Sequence, residues 1–165
     1  MNLVRYIYSS VAPDDLRFDD LHAILESAQR NNTRDGITGY LVYSRPYFLQ
    51  CLEGKRSVVS RLFERLYRDP RHSRIEIVSV REISCREFSE WSMRLMRIDE
   101  LGAGVLSPLC LKYGINLPFN PNEVREETLH GWLRELYNRF ADSSDATAAR
   151  TSQPPSGRVS PILTS

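Results

Sequence analysis

The sequence contains few of the residues from which disulfide frameworks and metal centres are built. Its three cysteines are odd in number, widely spaced and never arranged as C-x-x-C, so neither a disulfide scaffold nor a zinc site is expected. The three histidines are scattered, and no two of them stand at the helical spacing typical of metal ligands. We therefore expect a protein without a metal centre.

A charge excess and a long apolar run are also missing. The net charge is +1, from 22 basic and 21 acidic residues, which predicts no basic surface for nucleic acid or for an anionic membrane. No apolar run approaches membrane-spanning length, and residues 1–5 enter a strand pattern without the layout of a signal peptide. The expected location is the cytoplasm.

The motifs of common enzyme classes are absent as well. The sequence has no G-x-G-x-x-G, no P-loop and no G-x-S-x-G. Its carboxylates fall mostly on polar helix faces, where a solvated surface role is the simplest interpretation. An enzyme is therefore not the favoured hypothesis.

What is present predicts one α+β domain. Hydrophobic residues make up 41% and charged residues 26% of the 165-residue chain, which is near the average for a globular protein. The apolar periodicity gives the order β-α-β-β-α-β-β, a ferredoxin-like sheet with an added strand. Two helices would cover one face and two C-terminal helices the other, because several strands are apolar at nearly every position. Strands are predicted over 3–10, 37–43, 47–52, 75–83 and 91–98, and helices over 18–30, 58–66, 101–111 and 123–140.

Four polar side chains interrupt this apolar pattern. Tyr8 and Gln50 fall inside strands, and Asn31 and Asn32 stand where the first helix is predicted to end. A buried amide without partners costs about 1–3 kcal/mol, so Gln50 needs a specific donor and acceptor. One hypothesis is that Gln50 bonds to Tyr8 or to the backbone and only fixes the core, while the Asn pair stops a helix.

A second hypothesis is that these side chains bind a flavin. The edge of a flavin ring alternates hydrogen-bond acceptors and a donor, and a carboxamide offers both. Asn and Gln are neutral and provide no fixed cation for a reduced, anionic flavin, which favours transient electron transfer over net turnover. The phenol of Tyr8 is then the natural electron and proton donor, and Gln50 the relay.

An ordered set of motifs resembles the BLUF family, the blue-light sensors that use flavin, and in particular its short stand-alone PixD-like members. The matching stretches lie at residues 3–10, 29–32, 35–39, 48–54, 69–72 and 91–93. Together they cover residues 3–96 in the right order and spacing, and residues 98–140 resemble the C-terminal helices of the short members. The resemblance implies a flavin sensor over 1–97, a helical extension over 98–140 and, from its Ser, Thr, Ala and Pro content, a disordered tail over 141–165.

The resemblance also assigns roles to individual residues. It implies a bound FAD whose ring contacts Ile24, Asn31 and Asn32, with Gln50 between the ring and Tyr8. The ribityl and phosphate part would lie near Arg65, Asp69 and His72. Trp91 and Met93, on one face of the last strand, would carry the signal onward.

The function that follows is that of a photoreceptor without enzyme activity. Light would draw an electron and a proton from Tyr8 and leave Gln50 rearranged, and the last strand would pass the change to the C-terminal helices. No effector domain is recognisable in the sequence, so a separate signalling protein is expected; a response-regulator-like partner, and a homo-oligomer in the form of a dimer or a larger ring, are typical of the group. Two alternatives remain: a flavin-dependent oxidoreductase, and a cofactor-free ferredoxin-like interaction module.

Overall fold

The computed structural model describes residues 2–90 and 92–140, and these contain five strands and four α-helices. Trp91 and the predicted tail over 141–165 lie outside them. The elements are β1 (Leu3–Val11), α1 (Phe18–Asp35), β2 (Thr38–Ser44), β3 (Tyr47–Lys55), α2 (Arg56–Leu66), β4 (Ser73–Ile83), β5 (Arg94–Arg97), α3 (Ala103–Tyr113) and α4 (Glu126–Arg139). None of these helices combines the length and the hydrophobicity needed to cross a membrane.

The strands form one sheet in the order β4-β1-β3-β2-β5. β1 is antiparallel to both of its neighbours, β3 and β4. β2 and β3 form a hairpin that turns at Arg45-Pro46, which has a cis peptide bond, and β5 is parallel to β2. This arrangement confirms the predicted ferredoxin-like α+β fold with an added strand.

The two faces of the sheet build two separate cores. Side chains alternate between the faces along a strand, so Tyr8 and Leu52 belong to a core shared with α1 and α2. Ile7 and Leu49 point the other way, into a core shared with α3 and α4. We call these the α1–α2 core and the α3–α4 core. Both faces are covered by helices, as the apolar strands predict.

Helix α1 is longer than its sequence predicts. The prediction ended it at Arg30, whereas it continues to Asp35 and stops at Gly36, whose φ of 65° is in the left-handed region. Gly36 caps the helix by donating its backbone N–H to the carbonyls of Asn32 and Thr33. Asn32 is therefore helical, and its buried amide donates to the carbonyl of Ser92. This tertiary bond offsets the low helix propensity of asparagine.

Strand β5 is shorter than predicted. The sequence predicted a strand over 91–98, but only Arg94–Arg97 pair with β2, and a 3₁₀ turn follows at Ile98–Glu100. Just before the strand, side chains of α1 occupy the backbone carbonyls: Asn32 donates to Ser92, and Gln29 donates to Met93. Met93 thus precedes β5 and is held by a helix instead of a neighbouring strand.

Candidate functional site

A cavity of about 230 Å³ lies between α1 and α2, over the face of the sheet. Apolar side chains form most of its wall, and carboxamide and charged groups are placed around them. All seven residues predicted to bind the cofactor line this cavity: Ile24, Asn31, Asn32, Gln50, Arg65, Asp69 and His72. The packing of α1 and α2 on the sheet therefore brings together side chains that are spread over residues 24–72.

Tyr8 and Gln50 form a hydrogen-bonded pair beside the cavity. They are direct partners in the register of β1 and β3, so their side chains leave the sheet on the same face. The Tyr8 hydroxyl donates to Oε1 of Gln50, and Nε2 of Gln50 contacts the sulfur of Met93 at 3.2 Å. One end of the Gln50 amide is thus tied to a phenol and the other to the segment before β5.

The environment of Tyr8 keeps its phenol protonated. Tyr8 is fully buried, and Phe63 packs edge-on against it with ring centroids 5.0 Å apart. Burial raises the pKa of Tyr8 well above its ordinary value, and the negative charge of Asp69 adds to the effect. A neutral phenol that gives up an electron becomes strongly acidic, and the carbonyl oxygen of Gln50 already accepts its proton in a hydrogen bond.

A glycine lets Met93 approach this pair. A Cβ atom at Gly39 would lie 2.6 Å from the carbonyl oxygen of Cys51 and 2.9 Å from the terminal methyl of Met93. A side chain at Gly39 would therefore clash with the backbone of β3 and displace the methyl of Met93, which contacts Gln50.

The carboxamides of α1 fall into two groups. Asn31 is half-buried on the cavity wall, whereas Asn32 lines the cavity and also donates to Ser92 at 2.8 Å. Gln29 was not predicted as a site residue, yet its Nε2 donates to the carbonyl of Met93 at 3.0 Å. The signal was present in the sequence, because Gln29 and Asn32 are three residues apart and share a helical face with Leu25.

Charged groups also line the cavity. Arg65 lines it and pairs with Asp35 of α1 at 3.1 Å. Asp69 accepts hydrogen bonds from the Arg71 guanidinium, which hold the pKa of that carboxyl below its ordinary value. Arg71 also lines the cavity, and sequence reasoning missed it because its exposed position in a loop carries no periodic signal.

His72 also lines the cavity, in a partly buried position. A 2.9 Å hydrogen bond joins its Nδ1 to the hydroxyl of Ser10. Burial lowers the pKa of His72 below its ordinary 6.5, and the nearby Asp69 charge partly opposes that effect. At neutral pH the imidazole is therefore a neutral group that can accept a further proton.

The donor set and the size of the cavity fit a flavin. The carboxamides of the wall match the alternating acceptors and donor of the ring edge, and the two arginines that also line it suit a phosphate. Small-molecule pockets have volumes of about 300–1,000 Å³, so a 230 Å³ cavity suits a ring system whose chain and phosphate extend towards solvent. In the described part of the chain, no group of three or more His, Cys, Asp or Glu residues could hold a metal ion.

Comparisons with known proteins identify the family. The model of the family described as "BLUF: Sensors of blue-light using FAD" matches residues 3–94. The photoactivated adenylate cyclase subunit alpha of Euglena gracilis is 30% identical over 96 residues, which cover 58% of this chain but only 9% of that protein. The chain thus spans about a tenth of the length of this curated relative.

Two solved structures resemble the chain over most of its length. The photo-activated state of BlsA has a TM-score of 0.73 and 31% identity, covering 92% of this chain and 99% of BlsA. The dark state of BlrB, a BLUF protein, has a TM-score of 0.66 and 30% identity, covering 82% of this chain and 97% of BlrB.

Proposed function

The chain belongs to the BLUF family of blue-light sensors that use FAD, and from this premise we propose that it is a photoreceptor in which Tyr8 and Gln50 form the light-driven switch. The observation that carries the proposal is the hydrogen-bonded series from Tyr8 through Gln50 to Met93, beside a cavity of flavin-ring size. A phenol, an amide and a thioether in contact provide a donor, a relay and an output.

Different residues of the cavity bind different parts of the flavin. Asn31 and Asn32 bind the ring edge, and Ile24 packs on the ring. Arg65 and His72 donate to the phosphate part, and Asp69 keeps the neighbouring Arg71 in place through the hydrogen bonds described above. When bound, the flavin supplies the absorption of blue light and accepts an electron.

Tyr8 performs the transient chemistry. It gives up an electron and then its proton, which passes to the amide of Gln50, and it recovers both when the charges recombine. Gln50 is left rotated, tautomerised or both, and its amide would then donate to a carbonyl of the bound flavin, which would shift absorption slightly to the red. The dark arrangement returns thermally, so no net oxidation or reduction occurs.

The output leaves through the segment that Gln50 contacts. A rearranged Gln50 changes its contact with the sulfur of Met93, and Met93 is continuous with β5. Residues 1–97 act as the sensor, and residues 98–140, which include α3 and α4, receive the change. Trp91 is part of this proposal through the family resemblance alone.

The remaining parts of the proposal concern cofactor and partners. The natural flavin is FAD and not FMN, and the chain has no enzyme activity of its own. It acts in the cytoplasm as a homo-oligomer, a dimer or a larger ring, and signals to a separate protein of the response-regulator type. The adenylate cyclase relative supports the sensor role only, since this chain matches less than a tenth of it.

An absorption spectrum of the purified protein, in darkness and then under blue light, tests the proposal. We expect an oxidised-flavin spectrum that shifts slightly to the red without bleaching and recovers in darkness. Bleaching of the flavin, with steady oxidation of NAD(P)H, would contradict the sensor hypothesis and indicate a flavin oxidoreductase. A protein that stays colourless after addition of FAD would leave the cofactor-free interaction module.

A further inference from the structure

Strand β4 is a long and exposed edge of the sheet. It has 11 residues and pairs only with β1 among the described strands. Two of its apolar side chains are half exposed, Ile77 at 49% and Val80 at 50%. A long edge strand with exposed apolar groups offers unpaired backbone to another strand.

A bulge changes which residues of β4 share a face. Ile7 of β1 is opposite Ser79 and the next residue, Tyr8, is opposite Ile77, so Val78 is an extra residue. Residues three apart in a regular strand point to opposite faces. Because of the bulge, however, Ile77 and Val80 are opposite Tyr8 and Tyr6 and share the α1–α2 face.

The same bulge brings two opposite charges onto the other face. Glu76 is opposite Ser9, and Arg81 is opposite Arg5, so both are on the face covered by α3 and α4 although five positions separate them. The order of groups is therefore symmetric about the Val78–Ser79 peptide. Moving outward from it, an apolar residue occurs on each side, and then a charged residue of opposite sign on each side.

We propose that β4 pairs antiparallel with β4 of a second copy of the chain, about a two-fold axis at the Val78–Ser79 peptide. In this register Ile77 is opposite the partner's Val80, and Glu76 is opposite the partner's Arg81. Each contact occurs twice because the interface is isologous. Apolar and opposite-charge pairs directly across antiparallel strands are stabilising, and the two five-stranded sheets become continuous.

Neighbouring side chains enlarge and order this surface. Val80 pairs across the sheet with Tyr6, whose ring lies 5.4 Å from Phe63, and Phe63 lies 5.3 Å from Tyr67. Tyr67, at the end of α2, is 57% exposed. An apolar surface thus continues from β4 to α2, so that a second copy would cover more than one strand.

The two charged side chains are already held in place. Glu76 accepts from the amide of Asn122 at 3.1 Å, and Arg81 donates through Nε to Glu126 at 2.8 Å. Side chains fixed before association lose less entropy on binding. This interface rests on the proposed function, because it specifies how the subunits of the proposed homo-oligomer meet. It requires no flavin chemistry.

Sedimentation velocity of the flavin-saturated chain over a range of concentrations tests the interface. We expect the unaltered chain to form a dimer. In Ile77→Lys/Val80→Lys, which places like charges opposite each other, we expect the dissociation constant of the dimer to rise by about tenfold or more. Val105→Lys is the matched control, because Val105 is also an exposed apolar residue, 40% exposed on α3, and it should leave the dimer intact. A monomeric unaltered chain, or a dimer lost only in Val105→Lys, would overturn the proposal.

Cysteine cross-linking tests the register in a Cys85→Ser background, which removes the exposed native thiol. Mild oxidation should link the double variant Ile77→Cys/Val80→Cys, and also a mixture of the two single variants. Neither single variant alone should link. A single variant that links as well as the mixture would overturn this register. A colourless protein that still dimerises through β4 would refute the proposed function and leave the interface standing.

Discussion

At the scale of single residues, the pairing of Tyr8 with Gln50 depends on strand register. The two lie directly opposite each other on β1 and β3, and a slip of one residue would move one of them to the α3–α4 core. The pair is therefore as well defined as the sheet itself.

Replacing Tyr8 by phenylalanine should leave the flavin bound and abolish the red shift. The ring and its edge-on contact with Phe63 are kept, but the proton donor to Gln50 is lost. Tyr6→Phe is the control, since Tyr6 is on the same strand and face and also contacts Phe63. Difference spectra under blue light would show a normal shift in Tyr6→Phe, and a normal shift in Tyr8→Phe would remove that residue from its role.

Gln50→Ala should also bind flavin without shifting its spectrum. The substitution removes both the acceptor of the Tyr8 proton and the donor to the Met93 sulfur. The same light–dark difference spectra measure the effect. If the photocycle persisted, the hydrogen-bond switch would have to lie elsewhere in the cavity.

His72 should make FAD affinity depend on pH. Its pKa is lowered by burial below 6.5, and a phosphate beside it would raise that pKa, so binding takes up a proton. Affinity for FAD should therefore rise as pH falls between the two pKa values, by up to about tenfold per pH unit. Fluorescence titrations would measure it, with riboflavin, which lacks phosphate, as the reference.

His72→Gln separates this effect from other titrations. Glutamine keeps a hydrogen-bonding side chain but has no proton to gain in this range, so the pH dependence of FAD affinity relative to riboflavin should disappear. An unchanged slope in His72→Gln would place the phosphate away from His72.

At the scale of elements, helix α1 grips the segment that precedes β5. Gln29→Met keeps the length of the side chain but removes the donor to the Met93 carbonyl. A neutral hydrogen bond contributes about 1 kcal/mol. If this bond holds the segment in the light state and has to break on the return to the dark state, its loss should make dark recovery about fivefold faster.

Time-resolved absorbance at the shifted wavelength would measure that recovery. Arg30→Met is the matched control, because Arg30 is the next residue of α1 and is exposed, and it should recover at the unaltered rate. Equal rates in both variants and the parent chain would show that the Gln29 bond is not part of the switch.

The same side-chain bonds explain which element boundaries the sequence could predict. Apolar periodicity located the five strands and four α-helices of the described chain and their order. The end of α1 and the start of β5 differ from prediction because Asn32 and Gln29 bind backbone carbonyls 60 and 64 positions away. Local pattern carries no information about such partners.

At the scale of the whole molecule, a buried charge network joins the sheet to α4. Glu53 is fully buried and accepts from Arg5 of β1 and from the backbone N–H groups of Glu87 and Phe88. Arg5 also contacts His130 of α4 at 2.8 Å. The loop before β5, the sheet and α4 are therefore fastened at one point.

Glu53→Gln should destabilise the whole fold. Removing one partner of a buried ion pair typically costs about 3–5 kcal/mol, and we expect a loss near the lower end of that range because Glu87 still pairs with Arg5 at 3.2 Å. Urea unfolding of the flavin-saturated protein, followed by far-UV circular dichroism, would measure it. The control Glu100→Gln, at an exposed pair with Arg97, should change stability much less, and equal losses in both variants would contradict the role given to Glu53.

The cofactor site was more accessible to sequence reasoning than this network. Polar residues inside apolar strands, such as Gln50, stand out in the sequence, and the family motifs supplied the rest of the cavity. Arg5 and Glu53 are also polar residues in buried strands, but a charged residue in a strand is usually interpreted as facing solvent. Only the register, which puts the two residues opposite each other, shows that they form a buried pair.

The alternation of the two cores also bears on how such a protein can diversify. On β1 and β3, Tyr8 and Gln50 face the α1–α2 core, while Arg5 and Glu53, at odd-numbered positions, face α4. Substitutions at odd-numbered positions can therefore accumulate to suit a new C-terminal attachment while the light-absorbing face is inherited unchanged. One light-sensing domain can in this way be combined with different output segments, so that its absorption is kept while the signal it transmits changes.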